Sequence, residues 1–574
     1  MTITQKILNL TLVIFVAILS LARLTWLDRF PVSLFSDEVD IGYQVKSFLS
    51  TGKDYQGNFI PLQFHSFSDV RTALPIYSTA LVSLIPGISV DYAIRLTPAI
   101  YSILGLIGIF LLTNSLFEIF DLKEKKAIIS PGLLAAFLLS LTPWHFTYSR
   151  TGFELSQLFT FFCFGLYFLV NYLRKHRLYE LVLSLIFLSL LPAVYSTAKL
   201  SVLFLPFLFL TLPEFMKKFI SLRPFKIFLL VLFLPLVTLI LNGGAGQRFS
   251  EIAIHTDPTL STQTDFLRQA DLGKDLVLGS SPSLTSKIAH NKLLRISTAF
   301  TKNILGPIST TFLFTKGDPN LRHAVSEWGM MLKIESVLIG LGLFLLISNR
   351  KNKFLSFLAI LTLLAIVPSA LTRDGATHSS RGFMLILPLI LSAAYGLYSI
   401  WNYRLIPFIL TSIIFFESFL YLHDYFYHYP FISEREFHAG LKELVSVANK
   451  YQGRTIVLTR TYEPSLIFFL YYTDYPPQMA QDLIPKGKLT EDITEELNLE
   501  GKKIAGTNIY LASVRDFDAK DPLRIKDAVY VLPAKEAKGL VESKYAIKLS
   551  DDISFPSGEA LFYTIFPAKP ATNK

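Results

Sequence analysis

One cysteine, Cys163, stands among 574 residues, so no disulfide forms within the chain and no cysteine-based metal centre is open to it. It lies in the run Phe161-Phe162-Cys163-Phe164 and reads as a core residue. Charge is scarce too: 17% of residues are charged, against about 25% in an ordinary soluble domain. With 51% hydrophobic and 14% aromatic residues, this composition excludes a conventional soluble enzyme. The net charge of +10 does not indicate nucleic-acid binding, because the basic residues sit in short clusters between apolar runs, as positive-inside topology distributes them. Charges are sparse through most of residues 1–430 and frequent afterwards, which divides the chain into a membrane part and a water-facing part.

A bilayer-spanning helix needs about 17–25 apolar residues. Candidate runs are 7–26, 92–118, 127–143, 155–172, 180–197, 199–214, 225–242, 332–348, 353–371, 382–400 and 405–422, predicting about eleven spans. The first has one lysine before it, Lys6, and no small-residue cleavage site ahead of Arg23-Leu24-Thr25-Trp26, so it reads as an uncleaved span. Basic clusters at Arg174-Lys175-His176-Arg177, at Lys217-Lys218 with Arg223 and Lys226, at Arg350-Lys351 with Lys353, and at Lys123, Lys125 and Lys126 are expected to be cytoplasmic. Parity then places 28–91, the hairpin tips near His145–Glu154 and Pro192–Lys199, the long loop 243–331 and the loop 372–381 outside. The short apolar segment Leu74–Pro86, with prolines near both ends, reads as an interfacial or re-entrant helix. The expected fold is mainly α: a transmembrane domain over 1–428, then a small extracytoplasmic α/β domain over 429–574. In the latter, Glu434–Lys450 reads as helix, while Thr455–Thr459 and Ala560–Phe566 read as strands.

The outer segments hold the polar residues that could carry chemistry. Ser36-Asp37-Glu38 opens a helical pattern, with Ser36 as the expected N-cap and two acids in the first turn, where the helix dipole favours negative charge. A structural cap and a catalytic carboxylate both fit that pattern. Glu154 begins an apolar span, a costly place for an ionisable group and therefore a functional candidate. His65, Asp69 and Arg71, then Arg150, then Asp318 and His323 are the further polar candidates along these segments. Lys199 and Arg381 stand at span ends, where a cation either snorkels to the interface or meets a phosphate. A carboxylate can serve as general base for a hydroxyl, and cations at headgroup level can stabilise a departing lipid phosphate. No His/Asp cluster at metal-ligand spacing is visible in the sequence, and neither a metal nor a cofactor is expected.

Ser36-Asp37-Glu38, the Leu141-Thr142-Pro143-Trp144-His145 hairpin with Tyr148-Ser149-Arg150 and Glu154, and Gly317-Asp318-Pro319-Asn320 with Arg322-His323 occur in an order that resembles the GT-C membrane glycosyltransferases, nearest to glycosyltransferase family 39. The resemblance covers residues 1–425. It implies a polyprenyl-phosphate-linked sugar donor, a protein, lipid or glycan acceptor, inversion at the anomeric carbon, and a multi-pass protein of the cell membrane acting outside the cytoplasm. By matching motif it implies Asp37 as catalytic base with Glu38 as partner and Glu154 as second acid. Arg71, Lys199 and Arg381 are the implied donor-phosphate contacts, with His65, Asp69, Arg150, Asp318 and His323 as substrate-binding candidates. After Arg71 the chain continues Thr72-Ala73-Leu74-Pro75, without the double proline that relatives carry there. Two rivals stay open. A lipid-linked oligosaccharide ligase or polymerase would draw on His255, Arg268, Arg295 and His323, while a lipid flippase or transporter would want charges at mid-membrane and an internal repeat.

Overall fold

The computed structural model describes residues 3–67, 69–123, 129–211, 223–241, 252–272, 281–403, 405–451, 453–461, 465–493, 501–512, 523 and 525–568. Lys125, Lys126, Lys217 and Lys218 of the basic clusters, and parts of the 243–331 loop, lie outside these residues. The chain forms two compact units, one of Met1–Thr25 with Pro98–Asp424 and one of Trp26–Thr97 with Tyr425–Lys574. This partition differs from the sequence division at 428/429, because residues 26–97 group with the C-terminal part.

The first unit is helical. Among the described residues five helices are long and apolar enough to cross a membrane, as expected of a multi-pass membrane protein: Val90–Ile119, Leu155–Lys175, Asn352–Ala370, Ser379–Ile400 and Ile406–Ile432. They match the predicted spans at 92–118, 155–172, 353–371, 382–400 and 405–422. Several other apolar runs are broken into shorter helices. The 127–143 run becomes Pro131–Leu141, capped by Ser130 and stopped where Pro143 opens a separate helix, Pro143–Tyr148. A proline in this position removes an amide donor and forces a restart. The 180–214 stretch is divided likewise into Leu178–Ser189, Leu191–Val194, Ala198–Phe204 and a 3-10 turn at Leu205–Thr211. Continuous hydropathy conceals such breaks, so among the described residues one apolar run is not always one helix.

The second unit combines a short hairpin with a seven-stranded sheet. The hairpin pairs β1 (Gln63–His65) antiparallel with β2 (Val70–Thr72), placing Phe64 opposite Arg71. Further strands are β3 (Thr455–Thr459), β4 (Thr490–Asp492), β5 (Gly501–Ile504), β6 (Ile509–Ala512), β7 (Ala528–Pro533), β8 (Ala546–Ser554) and β9 (Ala560–Pro567), in the order β4-β5-β6-β3-β7-β9-β8. In this sheet β3 runs parallel to both of its neighbours, β6 and β7; the other described pairs are antiparallel. A central strand buried on both faces should be continuously apolar, and Ile456-Val457-Leu458 is fully buried. Both predicted strands are present, whereas the predicted helix starts later, at Leu441.

The helix Ser36–Thr51 ties this unit together. Its Val39, Tyr43 and Val45 share a core with Phe64 and Ile76 from the first segment, and with Leu444, Phe468 and Tyr471 from the second. Burying each such side chain contributes roughly 1.5–3 kcal/mol. Gly42 lets the helix lie against Tyr471: a Cβ there would stand 2.5 Å from the ring. Polar contacts follow the same face, with Tyr43 Oη donating to the Tyr475 carbonyl at 2.9 Å and Gln481 Nε2 donating to Thr51 Oγ1 at 2.7 Å.

Candidate active site

The adjacent acids Asp37 and Glu38 have different surroundings. Glu38 is wholly buried and forms a bidentate pair with Arg95, Nε to Oε1 and Nη2 to Oε2, both at 3.0 Å. Arg95 also donates to the carbonyls of Leu27 at 3.0 Å, Pro31 at 2.6 Å and Ser33. The Glu38 carboxylate further accepts the Phe35 amide at 3.2 Å, so Phe35 is the N-cap and Ser36 the first helical residue, not the cap the sequence suggests. An acid at the third helical position commonly reaches back in this way. Glu38 is therefore a buried fastening between the chain entry, the helix start and Arg95.

Asp37 is 45% exposed and takes Arg71 Nη2 at 2.8 Å. Asp40, one helical turn on, is buried and accepts Arg71 Nε on one oxygen, with Ser66 Oγ at 2.6 Å on the same oxygen and Tyr55 Oη at 2.9 Å on the other. Two carboxylates thus flank one guanidinium. Burial works against the Arg71 charge, but Asp40 and Asp37 outweigh it and hold the guanidinium well above its ordinary value. Burial, with the Asp40 charge next, raises the Tyr55 phenol far above the usual range, so it remains a donor. The hairpin sets the place of Arg71. Asp69 accepts the Val70 amide at 2.7 Å, its carbonyl takes the Ser66 amide at 2.8 Å, and His65 Nδ1 meets Asn58 at 3.2 Å. His65 and Asp69 thus shape the loop that presents Arg71.

The other predicted residues belong to the first unit. Arg150 is fully buried and caps the helix Ile3–Leu24, donating to the carbonyls of Ala22 at 2.6 Å, Arg23 at 3.2 Å and Thr25 at 2.8 Å. These bonds brace the end of that helix. Glu154 is partly buried at the start of Leu155–Lys175, and Lys199 is partly buried near the start of Ala198–Phe204. Arg381 donates to Thr372 Oγ1 at 3.1 Å.

Asp318 and His323 come together with residues the sequence did not single out. Asp318 accepts the Asn320 amide at 2.9 Å and the Ser379 amide at 2.8 Å. Tyr148 Oη meets His323 Nδ1 and Ser379 Oγ, each at 2.8 Å. Gly317 turns the chain into Asp318 with φ +67, and a Cβ there would stand 2.6 Å from the Trp328 carbonyl, so only glycine fits. The His323 and His378 rings lie 5.1 Å apart, and burial first, then Arg381, His323 and Arg322, push His378 down to about 2, leaving the ring neutral. Asp40, Arg95 and His378 are the residues sequence reasoning missed. Arg95 had a signal, a charge inside the apolar run 92–118, and Asp40 had another, one-turn spacing from Asp37.

No protein-family model matches the chain, and no curated protein matches it. Solved structures do. The archaeal oligosaccharyltransferase AglB from Archaeoglobus fulgidus, in complex with an inhibitory peptide and a dolichol-phosphate, is similar over 98% of this chain and 74% of its own, at 12% identity and a TM-score of 0.47. ArnT from Cupriavidus metallidurans, bound to undecaprenyl phosphate, is similar over 96% of this chain and 97% of its own, at 10% identity and a TM-score of 0.38. Both of these proteins are GT-C glycosyltransferases.

Proposed function

We propose that the chain is a membrane glycosyltransferase that moves a sugar from a polyprenyl-phosphate donor to an acceptor hydroxyl on the extracytoplasmic side, by one inverting displacement with Asp37 as general base. The observation that carries this reading is the setting of Asp37: a half-exposed carboxylate in the first turn of a well-packed helix, aimed by Arg71, which Asp40 in turn holds. A base needs water-side access for its acceptor and a fixed direction, and Asp37 has both. Its neighbour Glu38 is fixed but has no access, being enclosed with Arg95, so it supports the site by fixing the helix start.

In the displacement, the acceptor oxygen attacks the anomeric carbon as Asp37 takes its proton, and the bond from that carbon to the phosphate oxygen breaks. The lipid phosphate leaves with the bonding pair. Two Arg71 donors are already engaged by Asp37 and Asp40, so in this reading it orients the base, and Lys199 and Arg381 are the cations for the leaving phosphate. Glu154 is the second acid. Acceptor and donor sugar stay open classes: protein, lipid or glycan for the first, any polyprenyl-linked sugar for the second.

Membranes containing the protein, incubated with labelled polyprenyl-phosphate sugars, test this reading. Label leaving its carrier for a protein, lipid or glycan acceptor supports it. Label that crosses the bilayer and stays on its carrier points to a flippase, and label in a glycan that lengthens while still on the donor carrier points to a polymerase; either result overturns the proposal.

A further inference from the structure

Asp318, His323 and His378 each present a ligand atom, and the three atoms lie within 4.8 Å of one another. We propose that these side chains form a binding site for a divalent first-row transition ion of the zinc class, separate from the Asp37 chemistry. Two ligands about 2.1 Å from an ion stand up to about 4 Å apart, so small side-chain rotations bring the three into reach of one centre.

The surroundings suit that task. Each imidazole has its Nδ1 held by a hydroxyl, Tyr148 Oη at 2.8 Å for His323 and Ser380 Oγ at 2.9 Å for His378. Metal-ligating histidines are ordinarily fixed in this way by a polar partner on the ring. The carboxylate is set by two backbone amides, those of Asn320 and Ser379, which direct it without neutralising its charge. The turn that carries Asp318 and His323 is itself rigid, since the Arg322 amide donates to Asn320 Oδ1 at 3.0 Å and the His323 amide to the Asn320 carbonyl at 2.9 Å. A simple fastening between the two loops is already supplied by the Ser379–Asp318 hydrogen bond, and two imidazoles beside the carboxylate add nothing to it.

The donor set narrows the ion. Calcium and magnesium take oxygen ligands almost throughout, whereas two imidazoles with one carboxylate suit zinc, cobalt or ferrous iron. Three protein ligands leave coordination positions open for water or an anionic oxygen, the arrangement of a working site more than of a closed structural one.

Cobalt tests the proposal directly. The full-length protein, purified in detergent and stripped with chelator, is titrated with Co2+ while visible absorption is followed, and Zn2+ is then added as competitor. The expected result is uptake of one Co2+ per chain, displaced by Zn2+, with binding at least tenfold weaker in His378→Ala and in Asp318→Asn. Tyr148→Phe retains all three ligands and removes the hydroxyl that holds both the His323 ring and Ser379, so its binding should weaken by about tenfold. Absence of saturable Co2+ uptake by the wild-type chain overturns the proposal, whatever the variants do. So does uptake that is unchanged in both His378→Ala and Asp318→Asn.

Discussion

The segment carrying Asp37 and the turn carrying Asp318 both place carboxylates in partly dry surroundings, but with different partners. Around Asp37 and Asp40 the partner is a guanidinium, and around Asp318 the partners are backbone amides and imidazoles. Arg71 bridges the two acids of the first, whereas the carboxylate of the second is oriented by the amides of Asn320 and Ser379. Similar acids in these different settings carry the two proposals, a base in one place and a cation ligand in the other.

The largest stability change should come from separating the buried pair. Glu38→Gln leaves the Arg95 charge enclosed without its counter-ion, and removing one partner of such a pair typically costs about 3–5 kcal/mol. Thermal unfolding in detergent should show a large fall for Glu38→Gln, with partial recovery when Arg95→Met is added; a wild-type transition in the single variant would mean the pair stabilises nothing. Asp40→Asn retains the size of a buried acceptor but removes its charge, so destabilisation of about 1–3 kcal/mol is expected. It should also lower transfer activity, because Arg71 then loses the anchor that aims it; unchanged turnover would assign Asp40 to packing alone. On the other side of the comparison, Tyr148→Phe deletes one buried hydroxyl shared by His323 and Ser379, for about 1 kcal/mol. The smallest effect belongs to Glu559→Gln, which breaks an exposed pair with Arg435, and should stay below about 1 kcal/mol. A larger shift there would show that surface charge matters more in this unit than its burial implies.

Local pattern was readable in the sequence and distant partnership was not. Thr455–Thr459 was legible because a continuously apolar β-branched run has few other uses, and the helix at Ser36 because acids gather where its dipole favours them. Asp37, Asp318 and His323 were singled out through the order of their motifs, and their roles are proposals. That Arg150 bonds the carbonyls of Ala22, Arg23 and Thr25 was not legible, because no side-chain motif announces a main-chain partner. His378 joins His323 only through the meeting of two loops, and Arg95 joins Glu38 from another helix. The helix restarts at Pro143 and Pro192 were not legible, because hydropathy averages across them.

The central claim is that Asp37, and not Glu38, is the base. Transfer of labelled sugar from a polyprenyl-phosphate donor should be compared between the wild-type chain and Asp37→Asn at equal amounts of folded protein. Loss of a general base predicts a fall of about 10²–10⁴-fold, with unfolding temperature and membrane insertion unchanged. Transfer by Asp37→Asn at the wild-type rate would contradict it.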